Sequence, residues 1–255
     1  DSSDGTNEYL MQQSDVHLFW TNQVYAKAYA GMQWVNSLVD EYGKDSWCMY
    51  VDVDEALVFP GIENRSLKSI TRYMEDNGHE ALTGFMLDMF SPDLKSIPRN
   101  NTYKGFLKDY PLFNTDYSWV NTIGCPFKHT SGGVRKVFSL YDTQTKTPII
   151  KGGQGINFLM SSHVISPAIL SNVTCVLLHF KFAGDFENYF NEELINQTRG
   201  AECKRRHWGY LNTIEQFDDN ANFISENTQA YNSSKQLIEL GLISTTKEFE
   251  HKKYD

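Results

Sequence analysis

Cysteine is scarce in this chain. There are four in 255 residues (Cys48, Cys125, Cys175 and Cys203), and no two form a Cys-x-x-Cys pair. That spacing excludes the common zinc motifs, and a domain of this length needs no disulfide framework, so four reduced thiols are expected. Long apolar runs are missing as well. None reaches the roughly 18 residues that a membrane-spanning helix requires. No basic segment followed by an apolar one opens the chain, so the expectation is a soluble protein of the cytoplasm. Positive charge is in deficit: 23 Lys and Arg against 32 Asp and Glu leave a net charge of -9. A general nucleic-acid binder needs a basic face and is excluded, although a local basic pocket for a phosphorylated ligand is not. Also absent are Gly-x-x-x-x-Gly-Lys-Ser/Thr, Gly-x-Gly-x-x-Gly and Gly-x-Ser-x-Gly. Their absence argues against P-loop nucleotidases, Rossmann dehydrogenases and α/β-hydrolases.

The chain is 40% apolar and 14% aromatic, a globular composition with enough length for a substantial core. Its most informative stretch is Trp47-Cys-Met-Tyr-Val-Asp-Val-Asp-Glu-Ala-Leu-Val-Phe-Pro60. A β-leaning apolar run ends in three carboxylates, Asp52, Asp54 and Glu55, which oppose folding unless something positive neutralises them. A divalent cation carrying an anionic substrate is the candidate, because Mn²⁺ and Mg²⁺ take oxygen ligands and leave positions for phosphate oxygens. An EF-hand is excluded, since Ala56 and Leu57 stand where that loop needs an acid or amide and then Gly.

Around this stretch the patterning predicts a helix over Asn7 to Gln13 capped by Asp4 or Thr6, a short strand Asp15 to Trp20, and a long helix Asn22 to Tyr42. The strand Trp47 to Val53 follows, so that strand, helix and strand form a parallel βαβ unit. Ligands of such sheets sit at the carboxyl ends of the strands, where Asp52 and Asp54 fall. Further on come a helix Leu67 to Asn77, a strand Ala81 to Phe90 and a polar, proline-bearing loop from Ser91 to Asp116. Ser131-Gly132-Gly133 precedes Arg135 and Lys136 and reads either as an anion-binding turn or as an ordinary hairpin turn with two solvated cations. Val173 to Phe182 is a third strand, with His179 and Lys181 on one face. His179 is either a metal ligand or a satisfied core histidine, and Asp88 either a general base or a structural acid. Gly184 to Trp208 is helical and charged. The remainder is polar, with a short amphipathic helix over Ser234 to Leu242. The expected division is a domain over residues 1–208 and a helical, polar extension over 209–255.

These residues, taken together, resemble a known family. Trp47 to Pro60 is similar to the Asp-x-Asp strand of GT-A glycosyltransferases, and its Val-Asp-Val-Asp-Glu-Ala-Leu-Val form resembles a bacterial, family-two-like group. Asp1-Ser-Ser-Asp-Gly-Thr6, Met86-Leu-Asp-Met-Phe90, Ser131-Gly-Gly-Val-Arg135, Lys151, His163 and Leu177-Leu-His-Phe-Lys-Phe182 match in the same order, over about residues 1 to 207. The resemblance implies a GT-A-like α/β fold with a mixed, mostly parallel sheet flanked by helices. It implies transfer of a sugar from a UDP- or GDP-sugar to a hydroxyl of a glycan or glycolipid, with Mn²⁺ or Mg²⁺ as cofactor. Asp52, Asp54 and His179 would hold the metal. Ser2, Asp4, Asp52, Arg135, Lys151, His163 and Lys181 would bind the donor. Asp88 would be the base of an inverting enzyme, and peripheral association with the inner face of the membrane is compatible with a glycolipid acceptor. The family's first strand, with its Asn-Glu segment, has no counterpart here. A metal-dependent phosphoester hydrolase and a non-catalytic carbohydrate-binding domain of the same fold are the alternatives.

Overall fold

The computed structural model describes residues 5–94, 103–121, 128–159, 161–195, 201–216 and 222–254. It is a mixed α/β fold in which a curled, mixed sheet is flanked by helices. Helix α1 is Thr6–Met11, entered from Gly5 in the left-handed region without a side-chain cap. Asp15 to Trp20, predicted to be a strand, has no regular structure. The predicted long helix is broken. A 3-10 turn over Tyr25–Ala28 gives way to Tyr29, Ala30 and Gly31, all at positive φ, before α2 runs from Met32–Tyr42. Periodicity alone does not register three consecutive left-handed residues, of which just one is glycine.

Strand β1 is Trp47–Met49 and β2 is Glu55–Val58, so Asp52 and Asp54 lie in the connection between two strands and Glu55 opens the second. Helix α3, Leu67–Asp76, buries Ile70, Tyr73 and Met74 at the 3–4 spacing of an apolar stripe. It ends where Gly78 turns left-handed: its N–H and that of His79 donate to the Glu75 and Met74 carbonyls. This pairing satisfies carbonyls that the helix would otherwise leave open. Strand β3, Ala81–Asp88, is buried along nearly its whole length, as a central strand must be.

The region expected to be loop holds α4, Tyr103–Asp109, and β4, Leu112–Asn114, while residues 95–102 lie outside the described set. Strands β5, Tyr117–Asn121, and β6, Lys128–Gly132, form an antiparallel pair. Strand β7 is Thr145–Lys151 and β8 is Cys175–His179. Helices α5, Phe186–Ile195, and α6, Ala201–Ile214, follow. The chain then adds β9, Thr228–Ala230, α7, Ser234–Glu239, and α8, Lys247–His251.

The main sheet has the order β1-β7-β3-β8-β2. A mostly parallel sheet was expected. Of the strand pairs in this sheet among the described residues, only β3–β8 is parallel, and β1–β7, β7–β3 and β8–β2 are antiparallel. The expected βαβ unit before Asp52 is therefore not formed, because β1 pairs with β7 from much later in the chain. One core packs Phe85, Leu87, Val176 and Leu178 of the sheet against Leu237, Leu242 and Ile243. A second packs Leu82, Ile149 and Cys175 against α3 and against Phe249 and Tyr254. Helix α6 runs through residue 208, and residues 237–254 contribute to both of these cores. A third core is aromatic: Phe138, Phe182, Phe186, Phe190, Tyr210 and Phe223 fasten α5 and α6 beside the carboxyl end of β8. Cys48 and Cys175 are free thiols. No helix among the described residues is long and apolar enough to cross a membrane.

Candidate functional site

The parallel ladder sets Asp88, the last residue of β3, directly beside His179, the last residue of β8. Asp88 is fully buried and entirely occupied. Arg135 approaches it with Nε 2.8 Å from Oδ2 and Nη2 3.2 Å from Oδ1, and Gln144 Nε2 donates to Oδ2 at 3.1 Å. His179 Nδ1 completes the set on Oδ1. Burial alone would raise the proton affinity of Asp88, but Arg135 and His179 outweigh it and hold the carboxyl well below the usual range. A general base needs an accessible carboxylate with proton affinity to spare. In this geometry Asp88 has neither: it sits behind His179 and orients it.

Ser131-Gly132-Gly133 is not the turn of a hairpin. It ends β6 and starts a 3-10 helix, Gly133–Phe138, that delivers Arg135. Gly133 has φ +59°, and a Cβ there would lie 2.5 Å from the Tyr117 hydroxyl. Arg135 is not solvated; it is 4% exposed. Lys136 does face outward and pairs with Asp116 at 3.0 Å.

The acidic turn finds its counter-ions inside the protein. Lys146, on β7, places Nζ 2.7 Å from Asp52 Oδ2 and 3.0 Å from Glu55 Oε1. The Tyr50 hydroxyl donates to Asp52 Oδ1 at 2.8 Å. Glu55, whose side chain is wholly buried, accepts the Asp52 N–H through Oε2 at 3.1 Å, while its own N–H donates to the Asp52 carbonyl at 3.0 Å. Burial opposes the charged form of Lys146, but Glu55 and Asp52 more than restore it. Burial likewise works against ionised Asp52, and Lys146 overrides it.

Asp54 points the other way. Its Oδ2 is 3.4 Å from His179 Nε2, and β8 holds its backbone, since the Phe180 N–H donates to the Asp54 carbonyl at 2.9 Å. Burial would raise the Asp54 pKa, but His179 and Lys181 bring it down to about 2. Burial would lower that of His179, and its bonds to Asp54 and Asp88 raise it instead.

A cavity of about 540 Å³ opens over these groups at the carboxyl ends of β3 and β8. Arg135, Lys146, Lys181, Arg206 and the imidazoles of His163, His179 and His207 line it, against one carboxylate, Asp52. The lining is rich in cations, but Arg135 is paired with Asp88, Lys146 with Asp52 and Glu55, and Arg206 with Asp142, so much of that charge is balanced within the protein. Tyr25, Tyr29, Ala30 and Met32 also line it. His163 Nδ1 donates to the Thr145 carbonyl at 2.7 Å, and burial with Lys146 nearby lowers its pKa to about 3, so it is neutral. Lys181 lies over the rings of Phe190 and Tyr210 at 5.3 and 5.6 Å.

The structure thus brings together Asp52, Asp54, Asp88, Arg135, His163, His179 and Lys181. It does not bring Lys151. That residue is at the far end of β7, paired with Glu75 at 2.8 Å and resting on Trp47. Ser2 and Asp4 lie outside the described residues. Sequence reasoning missed Lys146, Arg206, His207, Tyr210, Tyr50 and Gln144. Lys146 left a usable trace: a lysine inside the otherwise buried run Thr145–Ile150 must find carboxylates, and the acidic turn is in want of cations. Arg206 and His207 left none.

No group of three or more His, Cys, Asp or Glu among the described residues is arranged to hold a metal ion. Asp52 is committed to Lys146 and Tyr50. Asp54 and His179 are the remaining candidate donors, and they pair with each other at 3.4 Å. Comparison with family models, with curated proteins and with solved structures found no match.

Proposed function

We propose that this chain is a nucleotide-sugar glycosyltransferase domain of GT-A type, moving a sugar from a UDP- or GDP-sugar to a hydroxyl of a glycan or glycolipid. The observation that carries the reading is the cavity at the carboxyl ends of β3 and β8, lined by Arg135, Lys146, Lys181 and Arg206, with His179 in its wall and Asp54 3.4 Å from that imidazole. Binding sites of open α/β sheets lie at such strand ends. In this reading Lys146, Lys181 and Arg206 meet the donor diphosphate. Asp54 and His179 hold Mn²⁺ or Mg²⁺, and Asp88 fixes the His179 ring through Nδ1, as carboxylates commonly do behind a ligating histidine. The ion, when bound, neutralises charge developing on the leaving diphosphate. The acceptor oxygen bonds to the anomeric carbon as the bond from that carbon to the diphosphate breaks. The nucleoside diphosphate leaves with the electron pair, and the hydroxyl proton passes to solvent.

Calorimetry of the chain with UDP and GDP, with and without Mn²⁺, tests this. Saturable binding strengthened by Mn²⁺, with the strengthening lost in Asp54→Ala, is expected. A folded chain that binds neither nucleotide would sink the proposal. Release of inorganic phosphate from simple phosphoesters at high turnover would favour a hydrolase instead.

A further inference from the structure

A second cavity, of about 490 Å³, lies across the sheet from the first. Phe85 lines this one and its neighbour Met86 the cationic one; Thr145 lines this one and Lys146 the other. Successive side chains of a strand point to opposite faces, so the sheet itself separates the two cavities.

Its chemistry differs from that of the first. Among its lining residues there is no carboxylate and one cation, Lys128. Trp119 is 43% exposed, and its ring lies at 90° to that of Phe85 with 6.4 Å between centroids. Hydroxyls surround it. Those of Thr145 and Thr174 are used internally, Thr145 Oγ1 donating to the Lys128 carbonyl at 2.9 Å and Thr174 Oγ1 accepting the Ser244 N–H at 2.7 Å. The Thr83, Thr130 and Ser244 hydroxyls and the Lys128 ammonium have no hydrogen-bond or ion-pair partner among the described residues. Not being used inside the protein, these groups are open to the hydroxyls and charge of a ligand that enters the cavity.

We propose that this cavity binds an acidic oligosaccharide. A sugar ring lies against Trp119, its hydroxyls bond to Thr83, Thr130 and Ser244, and one carboxylate pairs with Lys128. An aromatic face beside neutral hydroxyls suits a polyol with apolar C–H faces. A nucleoside diphosphate would bring two or more negative charges to a single ammonium, and a basic ligand would find no acid. The inference stands independently of what the cationic cavity takes.

The test is calorimetric titration of the whole chain with tetragalacturonate, maltotetraose and chitotetraose, repeated on Trp119→Ala and Lys128→Ala, with circular dichroism confirming the fold. Tetragalacturonate is expected to bind saturably and more tightly than the neutral oligomers. Trp119→Ala weakens it by about tenfold, the upper end of what an aromatic contact supplies. Lys128→Ala weakens tetragalacturonate and leaves maltotetraose unchanged, and UDP with Mn²⁺ displaces neither. Absence of tetragalacturonate binding, equal binding by Trp119→Ala, equal affinity for neutral and acidic oligomers, or displacement by UDP would each overturn the proposal.

Discussion

Asp88 and His179 stand in register across the parallel β3–β8 ladder, and the Nδ1–H of His179 donates to the carboxylate that Arg135 and Gln144 also hold. One ladder thus fixes the imidazole's position, its tautomer and the direction of Nε2 toward Asp54.

Arg135 holds that carboxylate from two sides in a fully buried setting, so its removal leaves Asp88 charged and short of donors. Arg135→Ala is expected to cost about 3–5 kcal/mol in urea denaturation. Arg135→Lys should fall between wild type and Ala, because a single ammonium cannot reproduce the two-point contact.

Lys146 serves two acids at once. Lys146→Met is expected to cost about 3–5 kcal/mol, as a buried pair broken from one side does. Combining it with Glu55→Leu should recover much of the loss, since Asp52 remains half exposed and can be hydrated. Strict additivity of the two changes would show that the groups are not coupled.

Acid sensitivity should begin with His163. Its folded pKa of about 3 lies below the roughly 6.5 of an unfolded histidine, so between those values the unfolded chain binds the extra proton and stability falls as pH drops. Asp54, at about 2, adds stability that is present above roughly pH 3.9 and lost as pH falls through its folded value. His179 works in the opposite sense: its raised pKa gives stability present below about 6.5 and lost as pH rises past the folded value. Unfolding free energy measured against pH should therefore slope downward from about 6.5 toward 4, and His163→Gln should flatten that slope.

At Gly84 a Cβ would lie 2.1 Å from the Cys175 carbonyl oxygen, which is backbone and cannot turn aside. Gly84→Ala should destabilise by at least the 1–3 kcal/mol usual for overpacking, roughly estimated, and lower the urea midpoint accordingly.

The elements most legible in the sequence were those whose residues carry their own punctuation. Helix α3 has its stripe of Ile70, Tyr73 and Met74 and its stop at Asn77-Gly78. Strands β3 and β8 are largely apolar runs that end at Asp88 and His179. Pairing direction was not legible, because it depends on which distant strand reaches an edge, and β7 inserts between β1 and β3. The break at Tyr29 and Ala30 was hidden because neither residue signals a left-handed turn. At the site, the acids and His179 were visible as chemistry that demanded partners. The partner chosen for Asp52 and Glu55 was a lysine 94 and 91 positions further on, and local spacing contains no record of such a distance.

The two cavities share a wall that is one strand thick. Thr145 faces one and Lys146 the other, so a slip of β7 by a single residue would exchange hydroxyl for ammonium on both sides together. The acidic turn would lose its cation in the same event that removed a hydroxyl from the opposite cavity and set an ammonium in its place. Neither cavity can drift in composition or alignment along β7 without the other, and selection on either one constrains both.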